Sequence, residues 1–374
     1  RLVSWLPMYH DMGLVGFVLA PLVSQRSVDY LTTRDFAMRP RLWLKLISEN
    51  RGTIAFSPTF GYELCARRVH RGVEGYDLSS WRIAGVGAET IRKDVLVRLS
   101  AALAPAGFDA DAFMACYGMA ECSLAISFAP VGGGLQVDRV DAQSLAQDHR
   151  AEPTAVAVDD GASEFVVCGR VLPEYELQVR DCAGRSLPER EVGTIMVRGP
   201  SVMSGYFQNA EATQAALSAD GWLNTGDMGY RIGERIVITG RAKDLMIVNG
   251  RNIWPQDLEW LAEHQPELRL GDALAFSAPS TDGPDAAVLV VQCRVREPAA
   301  RRELVQRIEG LIRRELGIEC LVDAVAPHTL PRTSSGKLSR AGARRDYVAR
   351  LQQSVHLRQR ERAAAAARAD RKTG

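Results

Sequence analysis

No apolar run in this chain approaches the ~20 residues that a spanning helix needs. The longest, Leu14 to Val23, is broken by Gly16 and Pro21 and reads as a core segment. Net charge is also nearly absent. Forty-six basic against 45 acidic side chains leave +1 at pH 7, which excludes the global field of a wholesale nucleic-acid or membrane-surface binder. The seven cysteines (65, 116, 122, 168, 182, 293, 320) are odd in number, scattered and without a CxxC spacing. Neither a disulfide framework nor a zinc site is indicated, and reduced thiols in a cytoplasmic protein are expected. A Walker phosphate loop is missing too: Pro331 stands where such a loop needs glycine six residues before its lysine, and Leu338 where Ser or Thr must follow. No segment repeats, and no signal peptide is seen. The chain opens on Arg1 inside an apolar stretch, so the natural N-terminus is expected upstream.

What is present is 374 residues, 46% hydrophobic and 24% charged, enough for two or three globular domains. Up to about Ser127, short apolar runs alternate with helix-length amphipathic segments, the pattern of a parallel sheet with crossover helices. Helices are predicted at Arg41–Glu49, Phe60–His70 and Ile91–Leu103, and strands at Thr53–Phe56, Arg82–Val86 and Phe113–Cys116. Two strands run into glycine turns, Gly87-Ala88-Glu89 and Gly118-Met119-Ala120-Glu121. Ligands of open parallel sheets sit beyond the carboxyl ends of strands, so both turns are candidate site walls, or else plain tight turns. From Phe128 to Glu164 periodicity fades, as in a long insertion or loop. Alternating strands return from Phe165 to Arg198 and predict a small barrel or sandwich.

A domain boundary is expected after Gly240. Beyond it, Asn249-Gly250 signals a hairpin, Pro255 a helix start, and Leu304, Ile308, Leu311, Ile312 and Leu316 one helical face. A small α+β domain over 241–349 would end in the turn Pro331-Arg332-Thr333-Ser334-Ser335-Gly336-Lys337. Its polar, permissive backbone can lay the Lys337 ammonium against an anion, and it reads equally as a surface turn. The tail 350–374 is rich in Arg and Ala; from Arg340 to Lys372 ten basic face three acidic residues. An exposed or frayed helix is expected there, with a nucleic-acid role the lesser reading.

Five stretches in order, WLPMYHDMGL, YGMAE, NTGDMGY, GRAKDLMIVNGRNIWPQDLE and LPRTSSGK, resemble the acyl-adenylate-forming superfamily of acyl-CoA synthetases, adenylation domains and luciferases. SWLPMYHDMGLVG, GRNIWPQDLE and the long interval from Gly118 to Gly169 look like its fatty acyl-AMP ligase branch. The resemblance implies an α/β fold: part of a large adenylate-forming domain, parallel sheet with helices plus a small β subdomain, at 1–240, followed by a smaller α+β lid domain. It implies ATP and Mg²⁺, a fatty acid substrate, and an acyl carrier protein or polyketide synthase module as acceptor. The branch's extra segment, thought to restrain the movement for thioester formation with CoA, would fall at about Pro130 to Ser163.

By the same resemblance Lys337 bridges the acyl carboxylate and the α-phosphate, and Glu121 holds Mg²⁺. Tyr117 stacks on adenine beside Gly118, Gly87 and Ala88 approach the base edge with Glu89 nearby, and Asp227 and Arg241 take the ribose hydroxyls. Lys243 is the hinge, and His10 stands beside the acyl carboxylate. Plainer readings stay open: Glu121 as a helix-start carboxylate, His10 as structural, Asp227 and Arg241 as surface charges. The loop that grips the β- and γ-phosphates is expected upstream of Arg1. A CoA ligase and a non-catalytic nucleotide-binding module are the alternatives.

Overall fold

Strands that are apolar on both faces need cover on both faces, and the helices between them provide it. In the computed structural model, which describes residues 1–69, 72–158, 161–248, 250–279, 285–333 and 336–353, the chain divides into two units, Arg1–Lys243 and Asp244–Gly374. The division falls after Lys243 because the last strand of the first unit runs on to Arg241 and a 3₁₀ turn, Ala242–Asp244, follows.

The first unit contains β1 (Leu2–Ser4), β2 (Val28–Tyr30), β3 (Ile54–Ser57), β4 (Ile83–Val86), β5 (Phe113–Gly118), β6 (Ala125–Phe128), β7 (Val137–Asp141), β8 (Ala162–Val171), β9 (Glu176–Arg180), β10 (Gly193–Arg198), β11 (Leu223–Ile232) and β12 (Arg235–Arg241). They form one twelve-stranded sheet in the order β2-β1-β3-β4-β5-β6-β8-β12-β11-β10-β9, with β7 on β8. Strands β1 to β5 pair in parallel, and every pair from β5–β6 onward is antiparallel. The β-rich subdomain is therefore continuous with the parallel strands, not closed off as a barrel or sandwich. Ile195, Val197, Leu223 and Ile236 bury one of its faces and Val192, Tyr230 and Val237 the other.

Helices Thr59–Val69 and Lys93–Leu103 pack on the parallel strands; Val95, Leu96, Leu99 and Leu103 recur at helical spacing and are wholly buried. Beside them Trp43 contacts Trp5, Phe36, Tyr62 and Trp81 in edge-on or tilted pairs with ring centroids 5.2–6.5 Å apart. The run Leu14 to Val23 is not a core segment throughout. It lies on a surface helix whose Phe17 and Pro21 are buried, while Leu22 and Val23 are 72% and 86% exposed. No helix among the described residues is long and apolar enough to cross a membrane.

The stretch expected to be a long insertion or loop, from Phe128 to Glu164, is folded over its described residues. Asp141 caps the helix Ala142–Asp148, and Val140, Leu145 and Ala151 pack on Val167, Val192, Tyr230 and Val237. Asp138 accepts two hydrogen bonds from the Arg190 guanidinium, at 3.1 Å each, and one from the Tyr230 hydroxyl at 2.6 Å. Glu164 takes Lys93 at 2.9 Å and Arg139 at 2.7 Å. Burial pushes the Glu164 carboxyl up, but these two cations outweigh it and hold it below the usual range. Composition alone hides this, because the contacts are made to distant strands.

In the second unit β13 (Met246–Val248) and β14 (Arg251–Ile253) form the expected hairpin; Gly250 has φ +76°, and Asn249 lies outside the described residues. Strands β15 (Ala273–Ala278), β16 (Ala286–Gln292) and β17 (Cys320–Val325) make a three-stranded sheet. The helix Pro298–Leu316 crosses between β16 and β17; Glu297 caps it, Gly317 at φ +65° ends it, and Leu304, Ile308 and Ile312 are buried. A further helix begins at 340 and is described to 353, so the rest of the basic tail lies outside the described residues.

Asp138→Ala would take from Tyr230 its acceptor and from Arg190 its carboxylate, leaving that guanidinium the Ala151 carbonyl at 2.9 Å, at a cost of about 2–3 kcal/mol because the pair is only partly screened from water. Denaturant unfolding checks this; a change under about 0.5 kcal/mol, the size of an ordinary surface substitution, would mean that the Asp138 cluster adds nothing to the hold on the segment.

Candidate functional site

The site is built where the sheet changes from parallel to antiparallel. Strand β5 ends in Tyr117-Gly118, and a Cβ on Gly118 would lie 1.9 Å from the Leu124 carbonyl oxygen, so only glycine lets the chain double back into β6. Between them the 3₁₀ turn Ala120–Cys122 carries Glu121, followed by Ser123 at φ +62°. The Tyr206 hydroxyl donates to Glu121 Oε1 at 2.8 Å, and the Met203 N–H to the Glu121 carbonyl at 2.7 Å. Ser201 adds a bond to the Cys122 carbonyl at 2.9 Å. The segment 199–206 thus clamps the turn from outside. Sequence reasoning missed Tyr206; its one signal is an aromatic residue beside glycine in an otherwise irregular stretch.

Tyr117 and Asp227, far apart in sequence, meet in the interior: the Tyr117 hydroxyl donates to Asp227 Oδ2 at 2.7 Å, and the residues are 9% and 6% exposed. Asp227 on β11 stands opposite Arg241 on β12, whose Nε lies 3.2 Å from Oδ1. Thr225 receives the Asp227 N–H at 3.1 Å and itself donates to the Ile195 carbonyl at 2.8 Å. Burial raises the Asp227 carboxyl above its ordinary range; Arg241 and Tyr117 pull it down without cancelling that rise, and the Glu121 charge adds to it. Burial and then the Asp227 charge hold the Tyr117 hydroxyl well above the phenol range, so it stays a donor. The cluster is a buried acceptor fixed by one hydroxyl and one half-exposed guanidinium, suited to paired hydroxyl donors.

After β4, Gly87 packs against β5: a Cβ there would sit 2.6 Å from the Cys116 carbonyl oxygen, and Ala88 is held at φ +66°. Glu89 is engaged elsewhere, its Oε1 accepting the Phe60 N–H at 2.7 Å in the first turn of the helix Thr59–Val69. His10 follows β1, on the same carboxyl edge of the parallel strands, and caps the short helix Asp11–Leu14 with Nδ1 3.3 Å from the Met12 N–H. Gly13 lets this segment fit. A Cβ there would lie 2.2 Å from the Pro7 carbonyl oxygen, whereas one on Gly16 would make only ordinary contact, at 3.4 Å, with the Leu124 side chain.

Tyr117, Gly118, Glu121, Asp227 and Arg241 are thereby tied together, with Gly87 and Ala88 on the adjoining turn and His10 along the same edge. Lys243 lies in the turn that closes the first unit. Lys337 belongs to the second unit, in a turn closed by the Arg332–Leu338 bridge and the Thr333 N–H to Lys337 carbonyl bond at 2.8 Å; Ser334 and Ser335 lie outside the described residues. Among the described residues no three His, Cys, Asp or Glu side chains converge as a metal cage. One carboxylate such as Glu121 fits a hard cation that keeps its waters and takes other ligands from phosphate.

The family model described as AMP-binding enzyme matches residues 1–207. A Caulobacter vibrioides protein provisionally named an acyl-CoA synthetase is 51% identical over 93% of this chain and 61% of its own length. A medium-chain fatty acid–[acyl-carrier-protein] ligase of Teredinibacter turnerae is 32% identical over 91% of this chain and 56% of its own. A solved structure from work on the fatty acyl-adenylate ligases of E. coli and L. pneumophila superposes with a TM-score of 0.88 at 46% identity, over 95% of this chain and 64% of that one. The chain therefore spans 56–64% of the length of these three proteins.

A carboxyl whose folded pKa is raised costs stability wherever it must ionise, and the cost vanishes below the unfolded pKa, where both states are protonated. Asp227→Asn is accordingly expected to stabilise the unliganded protein near pH 7 and to lose that advantage toward pH 4. Denaturant midpoints across this range measure it; an advantage that grew as pH fell would reverse the assignment.

Proposed function

The chain belongs to the AMP-binding enzyme family, and from that premise we propose that it is the greater part of a fatty acyl-AMP ligase. The reaction is attack by a fatty acid carboxylate oxygen on the α-phosphorus of ATP. The new O–P bond forms as the bond to pyrophosphate breaks, leaving acyl-adenylate. A carrier-protein pantetheine thiol then attacks the acyl carbonyl and AMP departs. The observation that carries this reading is the buried Asp227 carboxylate between the Tyr117 hydroxyl and Arg241, an acceptor for the ribose hydroxyls brought beside the carboxyl end of β5, the last of the parallel strands.

In this reading the face of Tyr117 receives adenine, with the backbone of Gly87, Ala88 and Gly118 along the base edge. Glu89 contributes by fixing that turn to the helix at Phe60. His10 stands beside the acyl carboxylate. Two anions must meet, and the Lys337 ammonium, from the second unit, offsets the charge that builds on the phosphate oxygens. Glu121 would hold Mg²⁺, which supplies charge neutralisation at the phosphates when bound. Lys243 is the hinge, which needs backbone freedom more than its side chain.

Carrier-protein transfer is supported by the Teredinibacter turnerae relative's name and by the folded Pro130–Ser163 segment anchored through Asp138 and Glu164. A cytoplasmic setting accords with seven free thiols. A CoA ligase is the second reading, favoured by the name of the Caulobacter vibrioides relative; the two share the first half-reaction and differ in the acceptor.

The test is acid-dependent ATP–pyrophosphate exchange on the complete natural protein. Exchange with fatty acids is expected, with Lys337→Ala reducing it on the order of 100-fold or more and no acyl-CoA found by mass when CoA is offered. Exchange unaffected by that substitution would remove the mechanism; no exchange with any acid would leave a binding module; rapid acyl-CoA formation would replace the acceptor.

A further inference from the structure

The last described helix of the second unit, 340–353, begins with a cation. The partial positive charge of a helix N-terminus repels a guanidinium, so Arg340 in the first position needs compensation from outside the helix. The Ser339 hydroxyl caps the start, accepting the Gly342 N–H at 3.2 Å. Two carboxylates from elsewhere in the unit supply the charge. Arg340 donates through Nη1 to Glu259 Oε1 and, at 2.8 Å, to the Ala275 carbonyl, while its Nε lies 3.4 Å from Asp244 Oδ2. Burial works against the charge, but Glu259 and then Asp244 outweigh it and hold the guanidinium above its usual value. The three side chains are only 13–23% exposed, so water screens these pairs little.

The partners come from three parts of the unit. Glu259 stands on the helix Pro255–Glu263, and Ala275 on β15, the edge of the three-stranded sheet. Both polar groups of Ala275 are taken on that edge: Glu259 Oε1 accepts its N–H at 2.9 Å, and Arg340 takes its carbonyl. One turn further on, Arg344 donates to the Ser277 carbonyl at 2.8 Å, so the helix runs along the strand. Asp244 is the first residue of the unit, directly after Lys243. On the other side, Lys337 precedes Arg340 by three residues with little slack between them. Leu338 packs on the cluster of Phe276, Leu330 and Tyr347, the Ser339 N–H donates to the Pro331 carbonyl at 2.8 Å, and the Arg332 guanidinium to the Gly336 carbonyl at 2.8 Å.

We propose that Arg340 is a positioning residue for Lys337: it joins Asp244, next to the pivot, to the turn that carries the ammonium, so that a backbone rotation at Lys243 moves Lys337 as part of one rigid piece. The inference rests on the acyl-ligase reading, in which Lys337 is the cation and Lys243 the hinge. Without the tie, Asp244 and the start of the helix shift independently, and the ammonium reaches its working position less often. Turnover falls, while binding of ATP and acid, which that reading assigns to the first unit, is left alone.

The experiment measures kcat and KM for ATP–pyrophosphate exchange with a saturated fatty acid. It uses the complete natural protein, its Lys337→Ala, Arg340→Gln and Asp244→Asn variants, and each of the last two combined with Lys337→Ala. Exchange indifferent to Lys337→Ala would end the acyl-ligase reading and this inference with it; the other variants test the inference alone. Arg340→Gln is expected to lower kcat by about 10- to 100-fold, as a misplacement of about 1 Å does, with KM within about twofold of wild type. Asp244→Asn leaves Arg340 joined to Glu259 and β15, so it remains informative should Arg340→Gln yield no folded protein; a loss of about threefold or more in kcat is expected. In the Lys337→Ala background, where no ammonium remains to be aimed, each substitution is expected to add less than about twofold, whereas a purely structural role would cost the same in both backgrounds. Unchanged kcat in Asp244→Asn, a change in KM alone, or losses undiminished in the Lys337→Ala background would each overturn the proposal.

Discussion

A carboxylate kept out of water at the seam of a sheet is the constraint around which the first unit is arranged. Asp227 is buried enough that its charge is unwelcome, and it stays in place because Tyr117 arrives from β5 and Arg241 from β12 on either side. Those two strands can flank it because the sheet turns from parallel to antiparallel at β5–β6, a change that Gly118 permits and the clamp on Glu121 stabilises. An acceptor already desolvated and already aimed does not reorganise when a ligand brings hydroxyl donors.

The same economy of geometry appears around His10. Gly13 lies where the segment passes against the Pro7 carbonyl, and the helix departs from α geometry in the π turn Val15–Leu19. Ala88 and Ser123, in the turns after β4 and β5, add two residues at positive φ near it. The second unit is regular by comparison: a capped helix, Pro298–Leu316, crossing between two parallel strands.

Much of this was legible in the sequence where local rules govern. The helix at Arg41–Glu49 and the strands flanking the two glycine turns follow from periodicity, because burial on one or both faces leaves a repeating signature. The order of motifs pointed to Tyr117, Glu121, Asp227 and Arg241. What stayed hidden depends on partners far along the chain: Asp138 finding Arg190, Tyr206 finding Glu121, Tyr30 finding Phe17. The apolar run at Leu14–Val23 misled because hydrophobicity alone does not say which side of a helix will be covered. Nothing local signals that Glu89, expected near the base edge, would also take the Phe60 N–H.

The most direct measurement is calorimetric titration of the complete protein with a non-hydrolysable acyl-adenylate analogue and with its 2′,3′-dideoxy counterpart. If Asp227 waits for ribose hydroxyls, the hydroxylated analogue binds tighter by about tenfold or more, and its advantage shrinks as acid protonates the carboxyl. Equal affinity of the two analogues at every pH would contradict the account.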